Sequence, residues 1–212
     1  MRIRSAIGIF SISASLLSCE PPVTFTEPQP VSTANLSKFP KRIQGQYISL
    51  TDNSKLSVSN RFIQRIYDFN YTLKPADIDS TSRLSGDTLI NLRTNEKLIV
   101  THDGDSLVVH LHYVDTLFQI NDDNVLRKLK GYYFLNIRYN KTSWEVKKIR
   151  LKNGQLTISG ISSKTDIDNL REIMELPADT IQPFILAPTK RQLKKFVKND
   201  GFSDSEVFIK QR

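Results

Sequence analysis

Hydrophobic and polar residues alternate along most of the chain beyond residue 39. Alternation with a period of two is typical of β-strands that bury one face and expose the other. Clusters of Asn, Asp, Gly and Ser interrupt these runs, which indicates strands connected by turns. The predicted strands are 46–50, 56–58, 61–73, 87–92, 97–102, 107–114, 116–120, 131–139, 143–152, 156–158, 184–186 and 206–210.

Two dipeptides mark tight hairpin turns between predicted strands. Asp103-Gly104 and Asn153-Gly154 both have the composition of two-residue hairpin loops, whose central residues take positive φ. In the run 143–152 the apolar positions change phase between the first and second halves, which indicates a β-bulge.

The hydrophobic period lengthens twice near the C-terminus, and each change predicts a helix. Ile167, Leu170 and Ile173 have helical spacing, and Ser163 and Asp166 form a capping box before them. Pro177 would end this helix.

The second helix covers 190–198. Thr189 and Gln192 form its capping box, and Leu193, Phe196 and Val197 form its apolar stripe. This stripe predicts docking on the sheet with the lysines in solvent; the alternative is that the basic helix lies on an anionic membrane.

These patterns predict a mainly β (α+β) fold, an antiparallel β-rich domain of barrel-like form with both helices in its second half. The motif Gly45-x-Tyr47 recurs as Gly131-x-Tyr133, which suggests two related halves of about 39–121 and 125–212. The glycines would lie at strand entries, where they indicate a bend. Chance similarity, and two separable small domains, are the alternatives.

The first 18 residues have the pattern of a signal peptide. Arg2 and Arg4 precede an uncharged apolar run at 6–17 that is short for a membrane span. The run ends in Leu16-Leu17-Ser18-Cys19, which resembles the lipobox of bacterial lipoproteins. The resemblance implies cleavage before Cys19 and attachment of lipid to its thiol; an ordinary signal peptide cut near residue 14 or 15 is the alternative.

The resemblance also implies a location. A lipoprotein of this kind is anchored in the cell envelope, and we expect it on the outer membrane. The sequence does not distinguish the periplasmic face of that membrane from the cell surface. The mature chain also resembles uncharacterised lipoproteins of Bacteroidota-type bacteria, which supply no activity to transfer.

Residues 19–38 predict a Pro-rich tether between the anchor and the domain at 39–212. Four prolines lie among Thr, Glu, Gln and Ser, a composition that disfavours helix and sheet. A tail packed on the domain is the alternative.

The charge balance bears on partners. The chain has 30 Lys and Arg against 22 Asp and Glu, a net charge of +8. For an exported protein this favours anionic envelope components, or another envelope protein, as partners besides the membrane itself. No nucleic-acid-binding motif is present, so nucleic acid is not an expected partner.

Histidines offer the one candidate metal site. His102, His110 and His112 bracket a single predicted hairpin, with Asp103 and Asp105 in its turn. His110 and His112 are two residues apart on one predicted strand, so they would share a face of it. Because no familiar zinc-ligand spacing accompanies them, a solvated sheet face is the favoured interpretation, and no cofactor is expected.

Catalytic patterns are weak. The Asp-x-Asp pairs at 77 and 79, 103 and 105, and 166 and 168 suit glycoside hydrolysis or calcium, but they also suit turns and caps, which we favour. Nucleophile motifs are absent. The sequence therefore predicts a lipid-anchored, non-catalytic binding or structural module. A lipocalin-like carrier of a small apolar ligand and a hydrolase without a recognisable motif are the alternatives.

Overall fold

The computed structural model describes residues 20–177, 180 and 182–211. In this part of the chain, fourteen strands form one mostly antiparallel sheet with two α-helices, which confirms the mainly β fold class. The strands are β1 (Val23–Phe25), β2 (Gly45–Ser49), β3 (Lys55–Val58), β4 (Phe62–Leu73), β5 (Ser82–Ser85), β6 (Thr88–Asn91), β7 (Lys97–Asp103), β8 (Ser106–Gln119), β9 (Asn124–Leu129), β10 (Tyr132–Arg138), β11 (Trp144–Lys152), β12 (Gln155–Gly160), β13 (Phe184–Leu186) and β14 (Asp204–Lys210). The helices are α1 (Lys164–Met174) and α2 (Lys190–Lys198).

The sheet curls around one large core. Its order is β9-β10-β11-β12-β14-β2-β3-β4-β8-β7-β6-β5, and β1 joins β11 on the same side as β12. Strands from β2 to β4, β8 to β12 and β14 all contribute side chains to this core, whose largest members include Tyr47, Tyr133, Phe39, Phe118 and Phe208. Among the described strands no ladder joins β8 to β9, so the curled sheet stays open instead of closing into a barrel.

The described part of the predicted tether, 20–38, is not free but packed along the sheet. β1 pairs with β11 and, in parallel, with β13, and both Val23 and Phe25 are buried. Farther along, Leu36 pairs with Leu126 of β9. The expectation of a flexible tether is therefore wrong for these residues, because the apolar side chains between the prolines bury themselves against the domain.

Two side chains of the sheet supply the hydrogen bonds that a Pro-rich segment lacks. Asn136 of β10 accepts from the Gln29 N–H at 2.5 Å and donates to the Gln29 carbonyl at 2.9 Å. The Arg127 guanidinium donates to the carbonyls of Pro28 and Pro30. These bonds satisfy buried main-chain groups without regular secondary structure.

Both predicted helices are present and cover the outer face of the sheet. Ser163 accepts from the Asp166 N–H, but the Asp166 carboxylate accepts from Ser203 instead of the Ser163 N–H, so only half of the first predicted capping box forms. The second capping box, between Thr189 and Gln192, forms in both directions. The predicted stripes pack with β1 and β13 in a second apolar core.

The end of α2 depends on an unusually close glycine contact. Asp200 takes the left-handed conformation, with φ +56°, and the Gly201 N–H donates to the Phe196 carbonyl at 3.0 Å, as in a Schellman motif. Gly201 itself does not have positive φ. A glycine is required there because the Phe196 ring lies against it and leaves no room for a Cβ. Lys148 of β11 donates to the Gly201 carbonyl at 2.7 Å.

The hairpin predictions hold in part. Asn153 and Gly154 form the two-residue loop between β11 and β12, both with positive φ, as predicted. The loop between β7 and β8 is shifted by one residue from its predicted position. Asp103 pairs with Ser106, so the loop consists of Gly104 and Asp105, and of these two only Gly104 takes positive φ. Gly131 was expected at a strand entry and lies instead in the loop between β9 and β10.

The bulge predicted in β11 is absent from its ladders. β11 pairs without interruption with β10 and with β12. Its apolar phase changes because Trp144 and Val146 face one side of the sheet and Ile149 and Leu151 face the main core. The irregular register occurs between β4 and β8, next to Ile63.

The two halves share a pattern of connection. In the first, β2, β3 and β4 are consecutive neighbours, an excursion follows, and β8 returns beside β4. In the second, β10, β11 and β12 are consecutive neighbours, an excursion follows, and β14 returns beside β12. Tyr47 and Tyr133 both lie in the main core. This shared connectivity is what a duplicated unit would produce, and the duplication itself stays a prediction.

Candidate functional site

A cleft of about 750 Å³ lies at the end of the curled sheet where β2 and β12 end and β11 and β14 begin. We call it the cup. Leu117, Leu135 and Ile158 line it and pack against the main core, so they form an apolar floor. Mouths of curled or barrel-shaped sheets are common places for small-molecule sites, and this volume is within their usual range.

A half-buried ion pair lies in the wall of the cup. The Arg65 guanidinium on β4 contacts the Glu206 carboxylate on β14, and Ser49 donates to the same carboxylate at 3.1 Å. The Arg65 side chain is 13% exposed and lies over the rings of Tyr67 and Phe208. Its Nε is buried and has no hydrogen-bond partner among the described residues. The pair therefore brings a fixed polar group close to an apolar floor.

The rest of the charged lining is mostly acidic. Glu145 pairs with Lys147 at 3.4 Å across the rim. Asp52 accepts from the Ser54 hydroxyl at 2.7 Å, and that hydrogen bond, ahead of other causes, lowers the pKa of Asp52. Asp204 accepts from the Ser162 hydroxyl at 2.7 Å. Hydroxyl donors do not neutralise the negative charge of these carboxylates, although the Arg65 guanidinium also helps to lower the pKa of Asp52.

The first described residues of the chain complete the rim. Glu20, Pro21 and Pro22 line the cup, and β1 follows at once, fixed in the sheet. Burial, and next the Glu20 carboxylate beside it, raise the pKa of the Tyr139 hydroxyl at the β10–β11 turn. The predicted lipid attachment residue, Cys19, lies outside the described residues.

The histidines do not come together. His110 contacts the Asn70 side chain at 2.8 Å and the Thr101 hydroxyl at 3.1 Å, while His102 lies 3.9 Å from Asp87. His112 is opposite Asp68 in the β4–β8 ladder. In the described chain no group of three His, Cys, Asp or Glu side chains is placed to hold a metal ion.

The Asp-x-Asp pairs occupy turns and helix ends. Asp77 accepts from the Lys74 N–H, and Asp79 accepts from Thr81 in a local turn. Asp166 contacts Ser203, and Asp168 pairs with Lys164 on the surface of α1. None of these carboxylates lines the cup.

The basic helix α2 is docked through Leu193 and Phe196, as its stripe predicts. Several of its lysines line a second, smaller cleft against the β9–β10 hairpin. The helices of the described chain are all too short and too polar to cross a bilayer.

Sequence reasoning did not identify the cup, because its residues come from seven strands and several turns that are far apart along the chain. Leu135 and Ile158 lie in two of the predicted strands, but nothing in the sequence around them showed that they would line a cleft. Comparison of the chain with protein-family models, curated proteins and solved structures gave no match.

Proposed function

We propose that this chain is a lipid-anchored envelope protein, non-catalytic, which binds a small amphiphilic molecule in the cup. The observation that carries the proposal is the cup itself, an open cleft of about 750 Å³ with an apolar floor and a polar rim. Such a lining matches a molecule with one apolar and one polar end.

The anchor rests on the sequence. Leu16-Leu17-Ser18-Cys19 resembles a lipobox, and Cys19 is the only cysteine of the chain. Two or three acyl chains, at about 0.8 kcal/mol per buried methylene, would hold the protein on the membrane stably.

The position of the rim joins these two features. Glu20, which follows the proposed attachment residue in the sequence, lines the cup, so an anchor there would keep the mouth of the cup close to the bilayer. Because β1 is fixed in the sheet from Val23, little chain remains to move the domain away from the bilayer. The cup would therefore open at the membrane surface, where amphiphilic molecules are concentrated.

The charges of the lining indicate the polar end of the ligand. Five carboxylates line the cup against two basic groups, and those two, Arg65 and Lys147, are already paired. An anionic head would be repelled, so a neutral or cationic head is favoured. This proposal combines the binding module with the carrier alternative. No described histidine lines the cup, and the contact between His110 and the Thr101 hydroxyl lies on an exposed strand surface outside it, so the cup does not favour a hydrolase.

Replacing Cys19 tests the anchor. Cys19→Ala is expected to abolish labelling by a palmitate analogue and to move the protein from the membrane fraction to the soluble fraction. When membranes holding the wild type are illuminated with a diazirine-bearing alkylglycerol, the probe is expected to label the strands that line the cup. Ser18→Ala, which keeps the thiol and a small residue, is the control and should be labelled and retained like the wild type. Full retention of Cys19→Ala, or no labelling of the wild-type cup, would refute the proposal.

A further inference from the structure

The lysines of α2 are concentrated beside an apolar groove, away from the cup. A cleft of about 450 Å³ lies between α2 and the β9–β10 hairpin, and we call it the lysine cleft. Lys194, Lys195 and Lys198 line it from the helix, and Lys130 lines it from the hairpin loop.

The floor of the lysine cleft is apolar and aromatic. Leu129, Tyr132 and Phe134 line it from the hairpin, and Val197 lines it from α2. Phe134 is fully buried, and the other three pack against the second core. The cleft therefore has a fixed floor, because the sheet and the helix that form it are joined by that core.

Positive charge dominates this region. Among the described residues no carboxylate lines the lysine cleft, and of its lysines Lys195 pairs with the exposed Glu172 at 4.0 Å. Beside the cleft, two cations lie over the Tyr132 ring: Lys148 Nζ is 5.7 Å and the Arg150 guanidinium 5.9 Å from its centroid. Lys148 also interacts with the carboxylates of Asp166 and Asp200, so the four lysines that line the cleft supply its main positive charge. A cleft with one sign of charge over low-dielectric walls concentrates ligands of the opposite sign.

We propose that the lysine cleft binds the phosphate headgroup of an anionic lipid, with the start of its apolar chain against the floor. Lysine ammonium groups bind phosphate as point charges, and several around one cleft bind it without a fixed geometry. The apolar floor favours a lipid over a free anion, since a free phosphate would leave that surface exposed. This site has the opposite charge preference to the cup, so it is a separate function of the same domain.

Soluble short-chain lipids test this site without a competing bilayer. The detergent-purified mature protein is titrated with dihexanoyl-phosphatidic acid, with dihexanoyl-phosphatidylcholine and with inorganic phosphate. Phosphatidic acid is expected to bind at least ten-fold more tightly than either, and its affinity should fall as salt is raised.

The matched variants change charge equally but in different places. The double variant Lys194→Gln with Lys198→Gln is expected to weaken phosphatidic acid binding at least ten-fold. The control, Lys164→Gln with Arg191→Gln, also removes two positive charges from helices and should bind within two-fold of the wild type. Equal melting temperatures of the two variants would show that folding is preserved, and a cleft variant that melts early is replaced by Lys194→Gln alone.

Three results would overturn the lysine cleft as a lipid site. Equal binding of phosphatidic acid and phosphatidylcholine would mean that the negative charge of the headgroup does not contribute to affinity. Inorganic phosphate that binds as tightly as phosphatidic acid would make the ligand a free anion. Equal loss in the cleft and control variants would mean that only net charge matters. None of these results bears on the cup, whose occupancy is measured with an uncharged probe.

Discussion

Asn136→Leu is expected to detach the N-terminal segment from the sheet and to lower the free energy of unfolding by about 2–6 kcal/mol. Asn136 is fully buried, and its side chain pairs both the N–H and the carbonyl of Gln29. Leucine has a similar volume but no polar atoms, so both main-chain groups would lose their partners, and the segment would have to leave the sheet to reach water. Each such group costs about 1–3 kcal/mol.

The measurement combines denaturant unfolding with hydrogen exchange of the Gln29 amide. We expect that amide to lose its protection in Asn136→Leu while core amides of β12 keep theirs. The control is Asn140→Ala, since Asn140 is exposed and its side chain accepts only from Thr142, two residues away, among the described residues. If Asn136→Leu were as mild as this control, or if Gln29 stayed protected, the segment would be held by its apolar contacts alone.

Gly201→Ala is expected to destabilise the domain by about 1–3 kcal/mol through overpacking. A Cβ at this position would overlap the ring of Phe196, which is fully buried between α2 and the sheet. The ring has nowhere to move without disturbing the second core. The backbone would also be pulled from Lys148, whose ammonium group donates to the Gly201 carbonyl.

The matched control for this change is Gly160→Ala at the end of β12. Gly160 also lacks positive φ, but a Cβ there meets only the Asp204 carboxylate at an ordinary 3.8 Å. This variant should stay within about 0.5 kcal/mol of the wild type by denaturant unfolding. The double variant Gly201→Ala with Phe196→Leu should cost less than the sum of its parts, because the smaller side chain makes room. Strict additivity would argue against the overlap.

Local features of this fold were predictable from the sequence. The Asn153-Gly154 loop and the Thr189 capping box depend on residues within four positions of one another, and both form as predicted. The helix stripes were equally clear, because each has one buried face. Strand alternation identified the fold class for the same reason.

Features set by distant contacts were not predictable. The segment 20–38 has the composition of a tether, and it is ordered by Asn136 and Arg127, about a hundred residues away. The sequence of β11 resembles that of a bulged strand, because both faces of this strand are buried and its apolar residues change from one face to the other. The histidines are close together along the chain and suggested a candidate site, but they lie on exposed strands outside the cup. The residues that line the cup share no sequence motif.

The most direct test of the central claim, that the cup opens at the membrane and holds an amphiphile, is photolabelling of the lipidated protein in vesicles. The vesicles contain a diazirine-bearing 1-O-alkylglycerol, and labelled peptides are mapped by mass spectrometry. Ile158→Trp would fill the cup from its floor, while Ile185→Trp adds the same side chain at an exposed site on β13. We predict labels on the segments around Leu135 and Ile158, reduced at least ten-fold by Ile158→Trp and unchanged by Ile185→Trp. Labels spread over the surface, or equal labelling of the two variants, would contradict the account.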